Sequence, residues 1–343
     1  MNKIDLCNLN ITEKIEFFEE IGETPFRAKR LYKYLYREGI FCFDDMSDLP
    51  EQTRQKLKEN TSPQAIKVAK QVCSNDKTTR KYLFNTHDDN FIETVFMKHK
   101  ERNSICISSQ IGCKMGCTFC ASGSEGFVRN LSASEMLLQI ILAEKEAGEQ
   151  VKNIVIMGIV EPLDNYENVK KFIEIFSSEE GRNFSTKAIT ISTCGIVRMI
   201  KKLAENMPQV NLAISLHAPN DNIRKQLMPV SNKYSVEELI EVVKEHYKIT
   251  RRRTTIEYIL IENLNDSVSY AEELAKLLNG MNCIVNLIPL NNTSLLDMEG
   301  SSEEVAQRFR EVLGSNGVPA TIRIPLGSDI NAACGQLRLN HQN

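Results

Sequence analysis

Three of the chain's ten cysteines stand in Cys113-Lys-Met-Gly-Cys117-Thr-Phe-Cys120, a Cys-x3-Cys-x2-Cys run. Thiolates so spaced on one short segment can bind metal together. Structural zinc takes four protein ligands, commonly from paired Cys-x2-Cys units, and this run offers three. Three thiolates suit a four-iron, four-sulfur cluster, one of whose irons then stays open to an exogenous ligand. An enzyme that binds and reduces a small molecule needs that opening. Zinc or a chance clustering is the competing reading.

Of the other cysteines, Cys106 lies just upstream, Cys334 lies near the C-terminus, and Cys7, Cys42, Cys73, Cys194 and Cys283 are scattered. A lone cysteine is ordinarily a small buried hydrophobe. Residues 1–10 hold no apolar stretch of the secretory kind, and the apolar run 154–160 is far too short to span a bilayer. The expectation is a cytoplasmic protein without membrane contact, where thiols stay reduced and clustered cysteines bind metal or catalyse. With 42% hydrophobic and 25% charged residues, the composition excludes disordered, collagenous and membrane-embedded chains. The 42 Lys and Arg against 45 Asp and Glu give a net charge of -3, so any nucleic-acid contact must come from local basic patches.

The elements that must position these residues read as successive βα units. From residue 104 onward, β-branched runs alternate with amphipathic stretches. Strands are expected at 104–108, 153–158, 188–193, 210–215, 254–260 and 283–289, with an extended piece at 320–324. Ser132 with Glu135, and Ser235 with Glu238, form capping boxes that start two of the helices between them. Six parallel units predict an α/β fold of the open, partial (β/α)6 barrel type, with chemistry at the C-terminal strand ends. A doubly wound sheet is the alternative. Over 343 residues this implies a mostly helical N-terminal accessory domain at 1–95, a barrel core at 96–300 and a C-terminal extension at 301–343. Within the first domain, Phe26 to Arg37 interleaves Arg27, Lys29, Arg30, Lys33 and Arg37 with Phe26, Tyr32, Tyr34 and Tyr36. Cations for phosphates and rings for stacking suit RNA, although an ordinary amphipathic helix has the same pattern. Lys77, Arg80 and Lys81, and the run 251–253, are further basic patches.

A Cys-x3-Cys-x2-Cys run on the first loop of such a barrel resembles the radical S-adenosylmethionine enzymes. Within them, Cys106-Ile-Ser-Ser-Gln-Ile-Gly-Cys113, Gly126-Phe-Val-Arg-Asn-Leu131, Ser215-Leu-His-Ala-Pro-Asn-Asp221, Leu227-Met-Pro229, Val285-Asn-Leu-Ile-Pro289 and Asp329-Ile-Asn-Ala-Ala-Cys-Gly-Gln-Leu337 resemble the RlmN/Cfr family of RNA adenosine methyltransferases. The resemblance runs from about residue 15 to 340. It implies a [4Fe-4S] cluster on Cys113, Cys117 and Cys120, and S-adenosylmethionine chelated at the open iron. It also implies cofactor contacts from Phe119, Val160, Glu161, Ser192, Ser215, Leu216, His217 and Asn291, with Glu161 meeting the amino group. An adenine ring CH has no acidic proton or lone pair, so direct displacement at the sulfonium methyl is closed to it. The family's solution implies that Cys334 is methylated first and that a hydrogen is then taken from that methyl. The carbon radical adds to the base, and Cys106 helps resolve the adduct, leaving a Cys106–Cys334 disulfide. Glu93 falls at the family's acid/base position.

The implied partners are large-subunit (23S) ribosomal RNA, transfer RNA as a second class left open, and a reducing protein such as flavodoxin or ferredoxin, with the enzyme a monomer. Two departures from the family pattern stand out. Gly158-Ile-Val-Glu-Pro162 carries Val160 where the family usually has a glycine that allows close approach to a ligand. Leu326 stands where RlmN-like members usually carry an arginine, which bears on the choice between C2 and C8 of the adenine. Methylation at C2 is the leading expectation. Cfr-type C8 methylation with antibiotic resistance, and an impaired iron-sulfur RNA-binding protein, are the alternatives.

Overall fold

A computed structural model describes residues 3–62, 65–124, 126–291, 298–324, 326–333, 336 and 337. The chain begins with a two-residue strand β1 (Ile4–Asp5) paired to β2 (Thr61–Ser62), which closes off α1 (Ile11–Glu20), α2 (Pro25–Lys33) and α3 (Glu51–Asn60). Helix α1 opens on a capping box of Asn10 and Glu13 that satisfies two orphan amide donors. Next come β3 (Ile66–Cys73), β4 (Thr79–Thr86) and β5 (Phe91–Met97), an antiparallel meander that pairs through β5 with β6 (Ser104–Ile107). Strand β5 thus runs across the division expected at residues 95 and 96, and one sheet continues through it.

A ribbon of β7 (Gln110–Gly112) and β8 (Phe127–Asn130) brackets the cysteine loop and the short α4 (Ala121–Ser124). The βα series then follows as α5 (Ala133–Ala147), β9 (Asn153–Ile156), α6 (Tyr166–Ser177), β10 (Ile189–Thr193), α7 (Val197–Asn206), β11 (Asn211–Ser215), α8 (Asp221–Leu227) and α9 (Val236–Thr250). It ends with β12 (Thr254–Leu260), α10 (Val268–Leu278), β13 (Cys283–Pro289), α11 (Glu303–Ser315) and β14 (Ala320–Ile322). The sheet runs β14-β13-β12-β11-β10-β9-β6-β5-β4-β3, parallel from β6 to β14. This is the expected six-unit partial barrel, opened at one edge by β14 and extended at the other by the meander. The capping boxes at Ser132 and Ser235 are both formed.

Period-two alternation divides each strand between two faces. Ile105, Ile107, Ile154, Ile156, Ile189, Ile191, Leu212, Ile214, Ile256, Tyr258, Val285 and Leu287 join the helix-side core. Their neighbours Cys106, Ser192, Ser215, Glu257 and Ile288 line a cavity on the other face. Helix α5 is buried on all sides from Ala133 to Glu144, because the sheet covers one side and the N-terminal elements the other. The Ser134 hydroxyl accordingly donates to Asp5.

The segment Phe26 to Arg37 decides between its two readings in favour of the amphipathic helix. Tyr32, Tyr34 and Tyr36 are core residues, so their ring faces are closed to RNA bases. Tyr32 and Tyr36 pack edge to face at 4.5 Å, and Lys14 is buried 5.0 Å from each ring. Several of the segment's cations are engaged internally: Arg27 with Glu23, Lys29 with Glu180, Arg30 with Glu38 and Asp48, and Arg37 with the carbonyls of Glu179 and Gly181. The aromatic stripe is therefore a packing face. Phe26 alone of its rings is largely exposed.

Candidate active site

A cavity of about 150 Å³ opens at the C-terminal ends of the parallel strands. The cysteine loop forms one wall. Gly112 holds φ at +71°, and a Cβ there would lie 1.8 Å from the carbonyl oxygen of Gly126. Only glycine lets the two ribbon strands close at this point, and the Cys113 amide then donates to that same oxygen at 3.0 Å. Further along, the Thr118 amide donates to Leu227 O at 3.0 Å, and the Cys120 amide to Cys117 O at 3.2 Å. These bonds aim Cys113, Cys117 and Cys120 into the cavity. Phe119, Leu227, Met228 and Ile259 pack around the loop.

Burial, aided by the nearby Cys120 and opposed by a bond from the Met115 amide, pushes the Cys113 thiol up to about 12. Cys117 moves upward for the same reasons. Such thiols stay protonated until a cation takes the proton's place, which is the behaviour of a metal-loading site. Among the described residues, no three Cys, His, Asp or Glu side chains converge as a single bound ion requires. A four-iron cluster makes a different demand, one thiolate on each of three irons, and three cysteines facing one apolar-walled space meet it.

Opposite the loop, Glu161 is buried, with 1% of its surface exposed. Its carboxylate accepts from the Thr193 hydroxyl at 2.7 Å, the Cys194 amide at 2.7 Å and the Leu163 amide at 3.0 Å, and the Cys194 thiol also donates to it. Burial raises its pKa and these donors oppose the rise. The donors fix the carboxylate's orientation at the cavity wall, where an ammonium can compete with the weak S–H for its lone pairs. Arg224 is also buried, with donor bonds to Leu216 O at 3.0 Å, Cys194 O at 2.6 Å, Ser215 O at 3.2 Å and Ser231 Oγ at 2.9 Å. It ties the ends of β10 and β11 together.

His217 sits at φ +60° with its ring edge-on to Phe119, centroids 4.8 Å apart. Its Nδ1 accepts from the Ile259 amide at 3.0 Å, which places the proton on Nε2. Burial, reinforced by the charge of Arg224, pushes its pKa down to about 3, so the ring is neutral.

Of the residues expected from the sequence, Cys106, Cys113, Cys117, Phe119, Cys120, Val160, Glu161, Ser192, Ser215 and His217 all line this cavity. Val160 has no left-handed φ, its carbonyl accepts from the Cys113 thiol at 3.7 Å, and it lines the cavity while its side chain packs against the main core. Asn291 lines a smaller adjoining cavity of about 30 Å³ that shares Met97, Ile288, Arg323, Ala332 and Ala333 with the main one. Leu216 is a core residue whose amide donates to Glu257 O at 3.1 Å. Glu93 is buried outside the cavity wall, ion-paired with Lys81 at 3.0 Å, and Lys81 also donates to Asn331 O at 3.2 Å. Cys334 lies outside the described residues, and with it the expected pairing to Cys106. Its neighbours Ala332, Ala333 and Leu337 do line the cavity.

Sequence reasoning missed Thr193, Cys194, Arg224 and Glu257. The last had a signal: an acid inside the apolar strand run Thr-Thr-Ile-Glu-Tyr-Ile-Leu must either be buried with a purpose or break the pattern. Arg224 had none, since an arginine on a short helix ordinarily faces solvent.

Residues 107–278 match the Radical SAM superfamily, and residues 4–62 match the ribosomal RNA large subunit methyltransferase N-terminal domain. A protein of Clostridium novyi (strain NT), named a probable dual-specificity RNA methyltransferase RlmN, is 47% identical over 98% of both chains. One of the same name from Clostridium tetani (strain Massachusetts / E88) is 48% identical over 98% of this chain and 96% of its own. The crystal structure of a radical SAM methyltransferase from Sphaerobacter thermophilus superposes with a TM-score of 0.96 at 42% identity, covering 98% of this chain and all of the other. The superfamily's cofactors are a [4Fe-4S] cluster and S-adenosylmethionine, and the thiol triad and the buried carboxylate suit them. The chain belongs to the RlmN family of radical S-adenosylmethionine RNA methyltransferases.

Proposed function

We propose that the protein methylates C2 of an adenosine in 23S ribosomal RNA, and of transfer RNA as a second substrate, by passing the methyl group through Cys334. The observation that carries this reading is the shared cavity. Cys106, the three loop cysteines, Ala332, Ala333 and Leu337 face one cavity, which supports a shared chemistry for two lone cysteines far apart in sequence. When bound, the cluster and S-adenosylmethionine supply the electron, the methyl group and the hydrogen-abstracting radical. Cys113, Cys117 and Cys120 hold the cluster. Glu161 holds the cofactor's ammonium, while Ser192, Ser215, His217, Asn291 and the Phe119 ring shape the rest of its site. Leu216 contributes its backbone only.

Cys334 carries the methyl group to the base, and the Cys106 thiol forms a disulfide with the sulfur of Cys334 as the carbon–sulfur bond of the adduct breaks and the product leaves. Glu93 acts at one remove, through Lys81, on the segment that bears Cys334. The apolar walls around Val95, Met97 and Ile259 exclude water that would quench a carbon radical. A reduced carrier protein supplies the electrons. The names of the relatives support an RNA substrate of two classes.

Anaerobic reconstitution, incubation with 23S ribosomal RNA and transfer RNA fragments, and mass spectrometry of the nucleosides test this. The expected product is 2-methyladenosine, and Cys106→Ala is expected to trap a covalent protein–RNA adduct. A product methylated at C8 would move the enzyme to the Cfr-type reaction. Normal turnover by Cys106→Ala without an adduct would remove Cys106 from the mechanism.

A further inference from the structure

Four polar side chains lie in one register row across adjoining strands: Ser215 on β11, Glu257 on β12, Asn286 on β13 and Thr321 on β14. Glu257 lines the cavity with 4% of its surface exposed. Its Oε2 accepts from the Asn286 side-chain amide at 2.8 Å, and Asn286 Oδ1 in turn accepts from the Thr321 hydroxyl at 3.4 Å. Its Oε1 takes no hydrogen bond from a described residue and is not among the sealed, unsatisfied polar atoms. One carboxyl oxygen is thus anchored and the other is presented to the cavity. With Glu161, it is one of two acids lining this space among the described residues. Its position also divides the site. On one side stand Ser215 and His217, the stretch assigned to the cofactor, and on the other stand Arg323, Ala332 and Ala333, the approach to Cys334.

A carboxyl group presented in this way matches the edge of adenine that carries the exocyclic amine and N1. The amine donates and N1 accepts; Oε1, carrying the acid's proton, is the donor, and Oε2, with one lone pair on Asn286, keeps a second as the acceptor at the same spacing. Enzymes that act on a base taken out of its stack commonly read it on this edge. We propose that Glu257, anchored by Asn286, is the specificity-determining residue that holds the amine-and-N1 edge of the adenine to be methylated. The inference rests on the adenosine-methylating function proposed above and goes further, because N1 neighbours C2 and a base gripped there has C2 beside the grip and C8 on its far side. Burial of Glu257 raises its pKa against the opposing pull of Arg323 and Asn286, which favours the acid form that donates as well as accepts.

The test uses anaerobically reconstituted holoenzyme and two RNAs that differ only at the target position, adenosine in one and purine riboside, which lacks the exocyclic amine, in the other. Wild-type protein is expected to favour adenosine by about tenfold or more in kcat/KM. Glu257→Ala should fall about ten- to a hundredfold on adenosine RNA, which loses both contacts, and by less on the purine RNA, which has only the N1 contact to lose, so that the preference for adenosine shrinks. Its S-adenosylmethionine affinity, read by equilibrium dialysis, and its iron content should match wild type, which also reports that it folds. Glu257→Gln should retain the preference for adenosine, because the amide supplies one acceptor and one donor.

Equal use of both RNAs by wild type would overturn the proposal without any variant. So would a Glu257→Gln protein as poor as Glu257→Ala, which would mark a proton carrier. So would weakened S-adenosylmethionine binding in Glu257→Ala, which would assign the residue to the cofactor's own adenine. A wild type that methylates neither RNA would overturn the proposed function first, and this inference with it.

Discussion

At Val160 two demands meet on one residue. Its carbonyl serves the Cys113 thiol, and the residue borders the cavity, with its side chain against the main core, one residue before Glu161, the carboxylate assigned to the cofactor's ammonium. The backbone there does not need glycine's conformational range, so the residue acts through bulk alone. Three carbons added to a close-fitting wall cost about 1–3 kcal/mol if packed atoms must shift. Val160→Gly is therefore expected to tighten S-adenosylmethionine binding by about tenfold, within the range that such an energy spans. Iron content should hold, because the cysteine loop is positioned by the ribbon and by Leu227. Equilibrium dialysis on reconstituted protein checks this, and unchanged affinity would show that the wall fits the cofactor around valine. Cys194 belongs to the same scale. Its S–H donates to Glu161, a contact beyond the reach of sequence, because a lone cysteine next to a strand end carries no mark of the carboxylate it faces.

Elements explain which parts of the site could be read in advance. The strands expected at 104–108, 188–193 and 254–260 lie within a residue of where the β-branched runs put them, since each must alternate between a helix-facing and a cavity-facing side. The capping boxes were equally plain, being local bonds written in four residues. Strand β3 was not visible. Its sequence Ile-Lys-Val-Ala-Lys-Gln-Val-Cys is exposed along much of its length and carries a register irregularity between Val68 and Lys70, so neither alternation nor burial marks it. Tyr32, Tyr34 and Tyr36 left two readings open, because aromatic rings beside cations look the same whether the rings face RNA or the core. The β7–β8 ribbon is the element on which the cluster depends. Gly112→Ala places a non-glycine residue at φ +71°, costing about 1–3 kcal/mol from conformation alone, and drives its Cβ against Gly126 O. The ribbon should part and Cys113 should leave its place. The expected result is less than half the iron of wild type after reconstitution, measured by iron assay and by loss of charge-transfer absorbance. Far-ultraviolet circular dichroism should be preserved, because the ribbon lies outside the main sheet.

On the scale of the whole molecule, the sheet joins parts that the sequence presents as separate. The meander β3–β5 and the segment after β14 come from opposite ends of the chain and meet over the cavity. Asp329 accepts from the Asn75 amide at 2.9 Å, Lys81 donates to Asn331 O at 3.2 Å, and the Ser122 hydroxyl donates to Leu337 O at 2.9 Å. The C-terminal segment is thus a strap fastened through Asp329 and Asn331 to the β3–β4 hairpin and through Leu337 to the helix after the cysteine loop, and position 334 falls between these residues in sequence. Gly327 is the point where the strap crosses the hairpin. It holds φ at +66°, and a Cβ there would lie 2.7 Å from Thr79 Cγ2 and 3.0 Å from the Ala332 methyl. Gly327→Ala should therefore lift the strap while leaving the cofactor residues at the ends of β10 and β11 untouched. A misplacement costing about 1–3 kcal/mol corresponds to roughly a five- to 150-fold loss of rate. Methylation of RNA is expected to fall within that range, with iron content and S-adenosylmethionine affinity within about twofold of wild type on the same scale of energies. Single-turnover assays beside equilibrium dialysis separate the two effects. Parallel loss of affinity and rate would mean that the strap also seals the cofactor site, and full activity would mean that Thr79 yields to the added methyl.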